Sequence, residues 1–368
     1  MIYYFFILFY WLLLFEFGTK EKSYIRLFYA ILPLYLIMAL RSVSVGSDTI
    51  SYYNRYIGAF DMLTADHTIS EPGYNLLSYF FHDILGVPFW VLVATLSLFQ
   101  CYILGLFLKH FSVNIYFSLF LFMTIGLFTP AMSGLRQLTA VSICTIPVIW
   151  AKVCDERGNE NNKHKMWRLI IGIGLVLVAY TIHNSAIIFM PILFLFDKRL
   201  SRQQTIAIMI FAVSTLLFRS LLVRFMGYFV LERYDRYDLN EGYMMNILML
   251  LVPISIGLFC VFTSSPEKGE QKYSKAMSLM FLFLALQVTF NNLALSQNQV
   301  ARLGYYFMNS YIVLIPYVLK KLPAQSRSIT TFCIIFLCIV FFYMGTNGGT
   351  LKIDNYKFFW EEPIYLNN

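Results

Sequence analysis

The chain has little charge and lacks the short motifs that mark nucleotide-dependent or metal-dependent enzymes. Only 13% of its 368 residues are Asp, Glu, Lys or Arg, whereas 59% are hydrophobic, which excludes an ordinary soluble domain. The sequence has no Walker loop, no dinucleotide-binding fingerprint and no HExxH. The segments that we place outside the membrane also lack a DxD-like carboxylate pair. We therefore predict neither a cofactor nor a metal ion.

Cysteine spacing, the N-terminal run and the net charge narrow the class of protein further. The six cysteines have no CxxC spacing and lie mostly in apolar runs, which is typical of buried free thiols and supports neither a metal site nor a disulfide. The N-terminal run MIYYFFILFYWLLLF lacks a basic n-region and a small-residue cleavage site, so we predict a retained first helix. The net charge of +8 is expected of loops that face anionic lipid, and nucleic acid is not an expected partner.

Apolar runs long enough to span a bilayer recur from one end of the chain to the other. They predict an all-α, polytopic integral membrane protein, with residues 1–368 forming a single transmembrane domain of about 11–12 membrane helices. The predicted spans are 2–17, 25–40, 87–107, 114–132, 137–153, 169–196, 205–223, 244–263, 276–294, 304–319 and 329–346.

The run 169–196 presents a conflict of charge. As one helix it would place Lys198, Arg199 and Arg202 outside the membrane and invert every later loop. A break near His183 resolves the conflict, because two half-length helices of about 14 and 12 residues then enter the membrane and return. The first would reach only ~21 Å into a ~30 Å hydrocarbon core. We therefore predict an apex within the membrane, beneath its outer surface.

With this hairpin, the two basic residue types separate across the membrane. The main extracytoplasmic segments are 41–86 and 224–243, and twelve of the fourteen lysines lie in cytoplasmic segments, as the positive-inside rule requires. Eight of the fourteen arginines lie outside: Arg41, Arg55, Arg136, Arg219, Arg224, Arg233, Arg236 and Arg302. Because the planar guanidinium binds phosphate with two parallel hydrogen bonds, this pattern indicates a phosphorylated ligand at the outer face.

The first outer segment contains three candidate side chains for a site. Arg41 is a candidate anion ligand, with Asp48 as its partner or as a base. Asp48 also precedes a predicted helix, whose Tyr52 and Tyr56 would share one face, so a capped interfacial helix is the structural alternative. Glu71 precedes a turn and a new helix. Its negative charge would either interact favourably with the N-terminal end of the helix dipole or serve as a general base for a sugar hydroxyl.

Further candidates lie at the outer ends of later spans. Arg136, followed by Gln137, starts a spanning helix, where it would either snorkel to the headgroups or bind a phosphate together with the helix N-terminus. His183 falls at the predicted break, where an imidazole could accept a proton or orient an acid. Arg302 and Tyr305 lie in a polar outer turn that leads into a helix.

The order of these motifs resembles that of the Wzy-type bacterial polysaccharide polymerases, in their EpsG-like branch. The similarity runs from about residue 40 to residue 310. Its motifs are Arg41…Val45-Gly46-x-Asp48-Thr49-x-x-Tyr52, Glu71-x-Gly73-Tyr74, Arg136-Gln137 and His183-x-Ser185-Ala186. The resemblance implies a GT-C-like membrane glycosyltransferase that joins oligosaccharide repeat units carried on undecaprenyl diphosphate, with an active site on the outer side of the bacterial cytoplasmic (inner) membrane.

The resemblance also implies roles for the candidate residues. Arg136 and Arg302, with Arg41, would hold the donor diphosphate, and Glu71, Asp48 or His183 would deprotonate the acceptor hydroxyl or orient the base. Further contacts to the glycan or the diphosphate would come from Gln137, Tyr52, Tyr74 and Tyr305. The reaction would be inverting and metal-independent. The implied partners are the undecaprenyl-diphosphate-linked oligosaccharide and membrane lipids, with a chain-length regulator as a further candidate.

Three other functions fit parts of the pattern. An O-antigen ligase performs the same chemistry, but it usually carries a large outer loop in its C-terminal half, and 224–243 is small for that. A flippase or transporter of lipid-linked oligosaccharide should place charges along several helices at mid-membrane, whereas here they cluster at the outer edge. A membrane O-acyltransferase would need its histidine in the inner half of the membrane.

Overall fold

The structure is a computed structural model that describes residues 1–17, 23–59, 71–158, 162–230, 243–267, 269–347 and 352–362. These residues are helical throughout, apart from turns and two isolated bridges. They form two compact units, residues 1–193 with 330–368 and residues 194–329, which we describe separately. The prediction of a single domain stays a prediction. Most of the predicted outer segment 224–243, including Arg233 and Arg236, lies outside the described residues, as do residues 60–70 of the first outer segment.

The first unit contains nine helices among its described residues, and most of a tenth. They are α1 (Ile2–Phe17), α2 (Tyr24–Ala39), α3 (Thr49–Ile57), α4 (Pro72–Tyr79, extended by a π turn Phe80–Ile84), α5 (Phe89–Phe111), α6 (Ile115–Thr124), α7 (Phe128–Ser133), α8 (Leu135–Glu156) and α9 (Asn162–Ile182). A 3-10 stretch (Asn184–Leu195) follows α9, and a short 3-10 turn (Phe359–Glu361) lies near the end of the chain.

The described part of the second unit is built around one buried helix. Its helices are α10 (Arg202–Val230), α11 (Tyr243–Thr263), α12 (Lys275–Ala294), α13 (Ala301–Gly304) and α14 (Asn309–Lys321). Helix α15 (Ala324–Asn347) begins in this unit and continues in the first. Helix α12 packs against α10, α11, α13 and α14. The Asn292 side chain joins α12 to α10 by donating to Ala212 O (2.9 Å) and Thr215 Oγ1 (3.0 Å), a buried polar contact of the kind that holds membrane helices together.

The protein is an integral membrane protein, and the prediction of an all-α polytopic fold is confirmed. Six helices among the described residues are long and apolar enough to cross a membrane: Phe89–Phe111, Leu135–Glu156, Asn162–Ile182, Arg202–Arg224, Lys275–Ala294 and Ala324–Asn347. Shorter apolar helices accompany them. All six cysteines are free thiols, as predicted, although Cys333 is exposed and Cys154 is only half-buried.

The predicted span 114–132 is divided in the structure. Helix α6 ends at Thr124 and the short α7 begins only at Phe128. Two residues explain the break: Gly126 has a low helix propensity, and Pro130 has no N–H to donate to a carbonyl one turn earlier. The chain therefore makes a corner before α8, and this corner sets where the first residues of α8 lie.

The break at His183 is present, and the chain reverses direction there. Helix α9 ends at Ile182, and a Cβ on Gly172 would lie only 3.1 Å from Cδ2 of Leu193. A continuous straight helix would separate these two positions by about 30 Å. The first arm is longer than predicted, with 21 residues or ~31 Å of helix, because α9 already begins at Asn162. The predicted reason for an apex within the membrane, a first arm of only ~21 Å, therefore does not hold.

Basic residues of α5 and α8 lie with the first residue of α2 at one end of the first unit, which we call the Lys109 end. Lys109 Nζ lies 3.0 Å from the ring centre of Tyr24, and His110 Nδ1 lies 3.0 Å from Glu156 Oε2. Lys152 Nζ lies 3.3 Å from the other oxygen of Glu156. The beginning of α2 and the ends of α5 and α8 therefore lie together, and Arg41 and Arg136 are at the opposite ends of α2 and α8.

Candidate active site

Glu71 lies at the first turn of α4 in a strained backbone conformation. Its φ and ψ are both 61°, in the left-handed region, which costs a residue with a side chain roughly 1–2 kcal/mol. Pro72 follows as the first helical residue, where its fixed φ suits the start of a helix. The side chain of Glu71 is only 8% exposed. A carboxylate held at such a position needs strong partners nearby.

Two side chains and one backbone group supply those partners. Arg136 Nη1 donates to Oε2 of Glu71, and His183 Nδ1 lies 2.6 Å from Oε1. The backbone N–H of Asn184 donates to the same carboxylate. Arg136 and His183 are only 16% and 17% exposed, so the cluster is shielded from water. We call Glu71, Arg136 and His183 the Glu71 cluster.

The contact between α4 and α9 brings Glu71 to His183. Gly73 lies so close to α9 that an added Cβ would be 2.3 Å from Thr181 Oγ1. Thr181 is two residues before His183, where α9 has just ended. The absence of a side chain at position 73 thus lets the first turn of α4 pack directly on the last turn of α9.

Two tyrosines cover the guanidinium of Arg136. Its Cζ lies 4.9 Å from the ring centre of Tyr52 and 5.6 Å from that of Tyr74, at distances typical of cation–π contacts. The two rings are 5.8 Å apart, and both are buried. Tyr52 comes from α3 and Tyr74 from α4, so side chains of two other helices surround this arginine of α8.

The surroundings of Glu71 favour its ionised form. Burial by itself raises the pKa of Glu71. The hydrogen bond with His183 and the charge of Arg136 lower this pKa by more than burial raises it. The net result is a pKa below the ordinary value. Glu71 is therefore a carboxylate at neutral pH, with an oxygen engaged by each of two neighbours.

Arg41 lies just after α2 and is only 3% exposed. Its Nη1 donates to Met38 O (2.6 Å), while Nε and Nη2 have no hydrogen-bond partner among the described residues. Burial lowers the pKa of Arg41 to about 10, which still leaves it charged at neutral pH. Its charge acts on Tyr52 and Tyr74, the same rings that cover Arg136. Arg41 therefore belongs to the same end of the first unit as the Glu71 cluster.

Asp48 occupies the residue before α3, as predicted, but its side chain makes no capping hydrogen bond. Its Oδ1 instead accepts from Ser47 Oγ at 3.2 Å. Ser47 Oγ lies 2.6 Å from Ser133 Oγ, at the corner before α8. Asp48 is thus placed beside the beginning of the helix that carries Arg136.

Three further predicted site residues are Gln137, Arg302 and Tyr305. Gln137 follows Arg136 on α8 and is buried. Arg302 and Tyr305 belong to the second unit, where Arg302 is exposed on the short helix α13 and Tyr305 is half-buried at its end. Sequence reasoning therefore found the members of the Glu71 cluster, although it did not predict that Glu71 would pair with both other members.

Sequence reasoning missed the part that the C-terminal residues play near Arg41. Arg41 forms an antiparallel bridge with Phe358, and the Ser42 hydroxyl donates to the Glu362 carboxylate. More than 300 residues separate the two partners of each contact. The sequence around Phe358 contains only a mixed aromatic and acidic stretch, so no local signal could have indicated this contact.

Comparison with known proteins gives one match. The sequence model of the EpsG family matches residues 24–358, most of the chain. No curated protein and no solved structure matches the chain.

Proposed function

The chain belongs to the EpsG family, and from this premise we propose that it polymerises oligosaccharide repeat units carried on undecaprenyl diphosphate. Family membership supports a polysaccharide polymerase-type function generally. The finer proposal places the reaction at the outer side of the bacterial cytoplasmic membrane and gives the Glu71 cluster the central role. The observation that carries it is the contact of one buried carboxylate with both an arginine and a histidine.

The hydrogen bonds of this cluster favour His183, rather than Glu71, as the general base. An ionised carboxylate can only accept hydrogen bonds, so the proton between Glu71 and His183 belongs to Nδ1 of the histidine. In a neutral imidazole, Nε2 is then the nitrogen that can take up a proton. Glu71, with both oxygens engaged, would hold the ring in this tautomer and stabilise its charge after proton transfer. Among Glu71, Asp48 and His183, the three candidates that the sequence leaves open, we therefore propose His183 as the base and Glu71 as the residue that orients it.

The proposed reaction is a single displacement. His183 Nε2 takes the proton of an acceptor sugar hydroxyl, and the oxygen attacks the anomeric carbon of the donor repeat unit. The new glycosidic bond forms as the bond to the diphosphate breaks, and undecaprenyl diphosphate leaves with the electron pair. Because attack and departure occur on opposite faces, the anomeric configuration inverts. General base catalysis of this kind contributes about 10²–10⁴ to a rate.

We propose different electrostatic roles for Arg136 and Arg41. Arg136 already pairs with Glu71, so we assign it to keeping that carboxylate ionised and in place. Arg41 has two buried nitrogens without a hydrogen-bond partner among the described residues, which suits the donor diphosphate. The role that the sequence predicts for Arg302, in the second unit, stays a prediction. Positive charge from side chains would stabilise the leaving group, so the proposed reaction is metal-independent.

The two ends of the first unit support the proposed orientation. Lys109, Lys152 and Tyr24 lie at one end, whereas Arg41 and the Glu71 cluster lie at the other. Lysine-rich ends of membrane helices face the cytoplasm. The Glu71 cluster would accordingly face the extracytoplasmic side, where the lipid-linked repeat units are joined.

The test is a reaction of purified protein in liposomes with lipid diphosphate-linked repeat units. We expect a ladder of lengthened lipid-linked glycan, which His183→Ala should reduce by at least about 10². His110→Ala is the matched control, because His110 makes a similar contact with Glu156 at the Lys109 end and should keep the ladder.

Other outcomes would contradict the proposal. If no ladder forms and the substrate changes leaflet instead, the protein is a flippase. If finished glycan passes to an acceptor that is not a repeat unit, it is a ligase. If His110→Ala abolishes the ladder as completely as His183→Ala does, the Glu71 cluster has no special role.

A further inference from the structure

The C-terminal segment, residues 352–362, crosses the turn that carries Arg41. Its hydrogen bonds to residues 37–46 include Phe359 N–H to Leu40 O (2.9 Å), Ser42 N–H to Lys357 O (2.9 Å), Gly46 N–H to Lys352 O (3.1 Å) and Tyr356 O–H to Ile37 O (3.0 Å). The first two lie on either side of position 41. The backbone of Arg41 is therefore held on both sides by residues from the far end of the chain.

Side chains hold the C-terminal segment in place. Glu362 accepts from the Ser42 hydroxyl, and its Oε1 lies 3.0 Å from Lys357 Nζ. The ring of Phe359 stacks on Trp90 at the first turn of α5, with centres 4.8 Å apart and planes within 10°. The segment is thus anchored both to the turn of Arg41 and to a neighbouring helix. Its position and that of Arg41 are coupled.

The guanidinium of Arg41 is prepared for an anion that the described residues do not supply. Nη1 is occupied by Met38 O, and the two nitrogens without a partner are Nε and Nη2. These two form one edge of the planar fork, the edge that binds a carboxylate or phosphate with two parallel hydrogen bonds. Burying this edge without a partner is costly, which indicates that a ligand completes it.

We propose that the C-terminal segment acts as a clamp that positions Arg41, so that its Nε–Nη2 edge binds the diphosphate of the lipid-linked substrate. This inference rests on the proposed function for the identity of the ligand. It makes the C-terminal segment a positioning element of the anion site, acting through Arg41 rather than by contact with the substrate. Arg136, already paired with Glu71, is not the arginine that the clamp serves.

The backbone hydrogen bond of Phe359 offers a selective test. Phe359→Pro removes the N–H that donates to Leu40 O, and position 359 tolerates proline because it begins a 3-10 turn after the extended Phe358 (ψ 154°). Phe359→Ala is the matched control, since it also loses the stack on Trp90 but keeps the N–H. Both variants are made in the full-length protein, purified in detergent, and titrated with inorganic pyrophosphate.

We expect Phe359→Pro to weaken pyrophosphate binding about fivefold relative to Phe359→Ala, the effect of one lost hydrogen bond on the placement of Arg41. Arg41→Lys should weaken binding as well, because lysine has no planar fork. Phe359→Pro added to Arg41→Lys should then cause no further loss, because the clamp acts through the arginine. If the proline variant is not recovered folded, Tyr356→Phe, which deletes only the hydroxyl bonded to Ile37 O, makes the same test.

Two results would overturn the clamp. One is equal pyrophosphate affinity in Phe359→Pro and Phe359→Ala. The other is a full additional loss when the proline is combined with Arg41→Lys, as expected of a general structural effect. Pyrophosphate binding does not depend on polymerisation, so this test separates the two proposals. A protein that shows the clamp effect but forms no glycan ladder would retain the clamp and lose the proposed function.

Discussion

Oε1 of Glu71 lies 2.6 Å from Nδ1 of His183, although 112 residues separate the two positions. Glu71 immediately precedes α4 and His183 immediately follows α9, so the contact joins the ends of two helices. The contact pairs a buried carboxylate with an imidazole nitrogen.

Arg136→Ala should lower the free energy of unfolding more than the double replacement of Arg136 and Glu71 by alanine. Arg136→Ala leaves the Glu71 carboxylate, 8% exposed, with one charged partner fewer, and breaking a buried pair costs roughly 3–5 kcal/mol. Glu71→Ala with Arg136→Ala removes the stranded charge, so the double variant should be more stable than Arg136→Ala alone. Thermal or denaturant unfolding in detergent measures the coupling.

The matched pair for that measurement is Lys152–Glu156, an i,i+4 pair at the Lys109 end whose side chains are 21% and 41% exposed. Its coupling should not exceed about 0.5 kcal/mol. Equal coupling in the two pairs would show that the Glu71 cluster is an ordinary surface contact.

Gly73→Ala should damage both stability and activity. The added Cβ would meet Thr181 Oγ1 at 2.3 Å, so α4 and α9 must move apart, at a cost of about 1–3 kcal/mol. This displacement separates Glu71 from His183 and should reduce glycan elongation about 10²-fold. Gly174→Ala is the control on α9, because its Cβ would meet nothing within 4 Å and should stabilise the helix by roughly 0.5–1 kcal/mol. A Gly73→Ala protein as active as Gly174→Ala would contradict the close approach.

The strain at Glu71 predicts an unusual order among its variants. At φ 61° alanine suffers the same steric cost as glutamate, whereas glycine does not. Glu71→Gly should therefore be about 1 kcal/mol more stable than Glu71→Ala, with both variants inactive. At Glu156, the last residue of α8, the order should reverse, because glycine is the poorer helix former there. The free energies of unfolding of the four variants test this prediction. If alanine is more stable than glycine at both positions, the backbone at Glu71 is not strained.

The stabilising effect of Glu71 should disappear in acid. Its folded-state pKa lies below the ordinary value, so the folded protein binds fewer protons than the unfolded chain as this group titrates. The contribution is complete above the unfolded-state pKa of about 4.3 and is lost as the pH falls through the lower folded-state pKa. The difference in unfolding temperature between wild type and Glu71→Gln should shrink as the pH falls below about 5. A difference that grows below pH 5 would contradict the sign of the shift.

Much of the helical fold could be predicted because the length of an apolar run and the charges that flank it are local properties. The span predicted at 87–107 is Phe89–Phe111, and the break near His183, required by the charges that follow it, is present. The division of the span 114–132 also has a local cause, at Gly126 and Pro130, but the apolar run predicts one continuous span there. Arg41, Glu71, Arg136 and His183 could be singled out because polar groups at the ends of apolar helices are expensive without a partner.

The pairing of those residues was decided by the tertiary structure alone. Which helix ends meet depends on how helices pack, and packing depends on close fits such as that of Gly73 against Thr181 rather than on the pattern within one helix. The same holds for the C-terminal segment, whose backbone groups bond to the turn of Arg41 across more than 300 residues. By itself, the sequence determined that the chain crosses a membrane and presents arginines and a histidine at helix ends. Only the fold determined that Glu71 joins Arg136 to His183, because a carboxylate finds its partners in space and not along the chain.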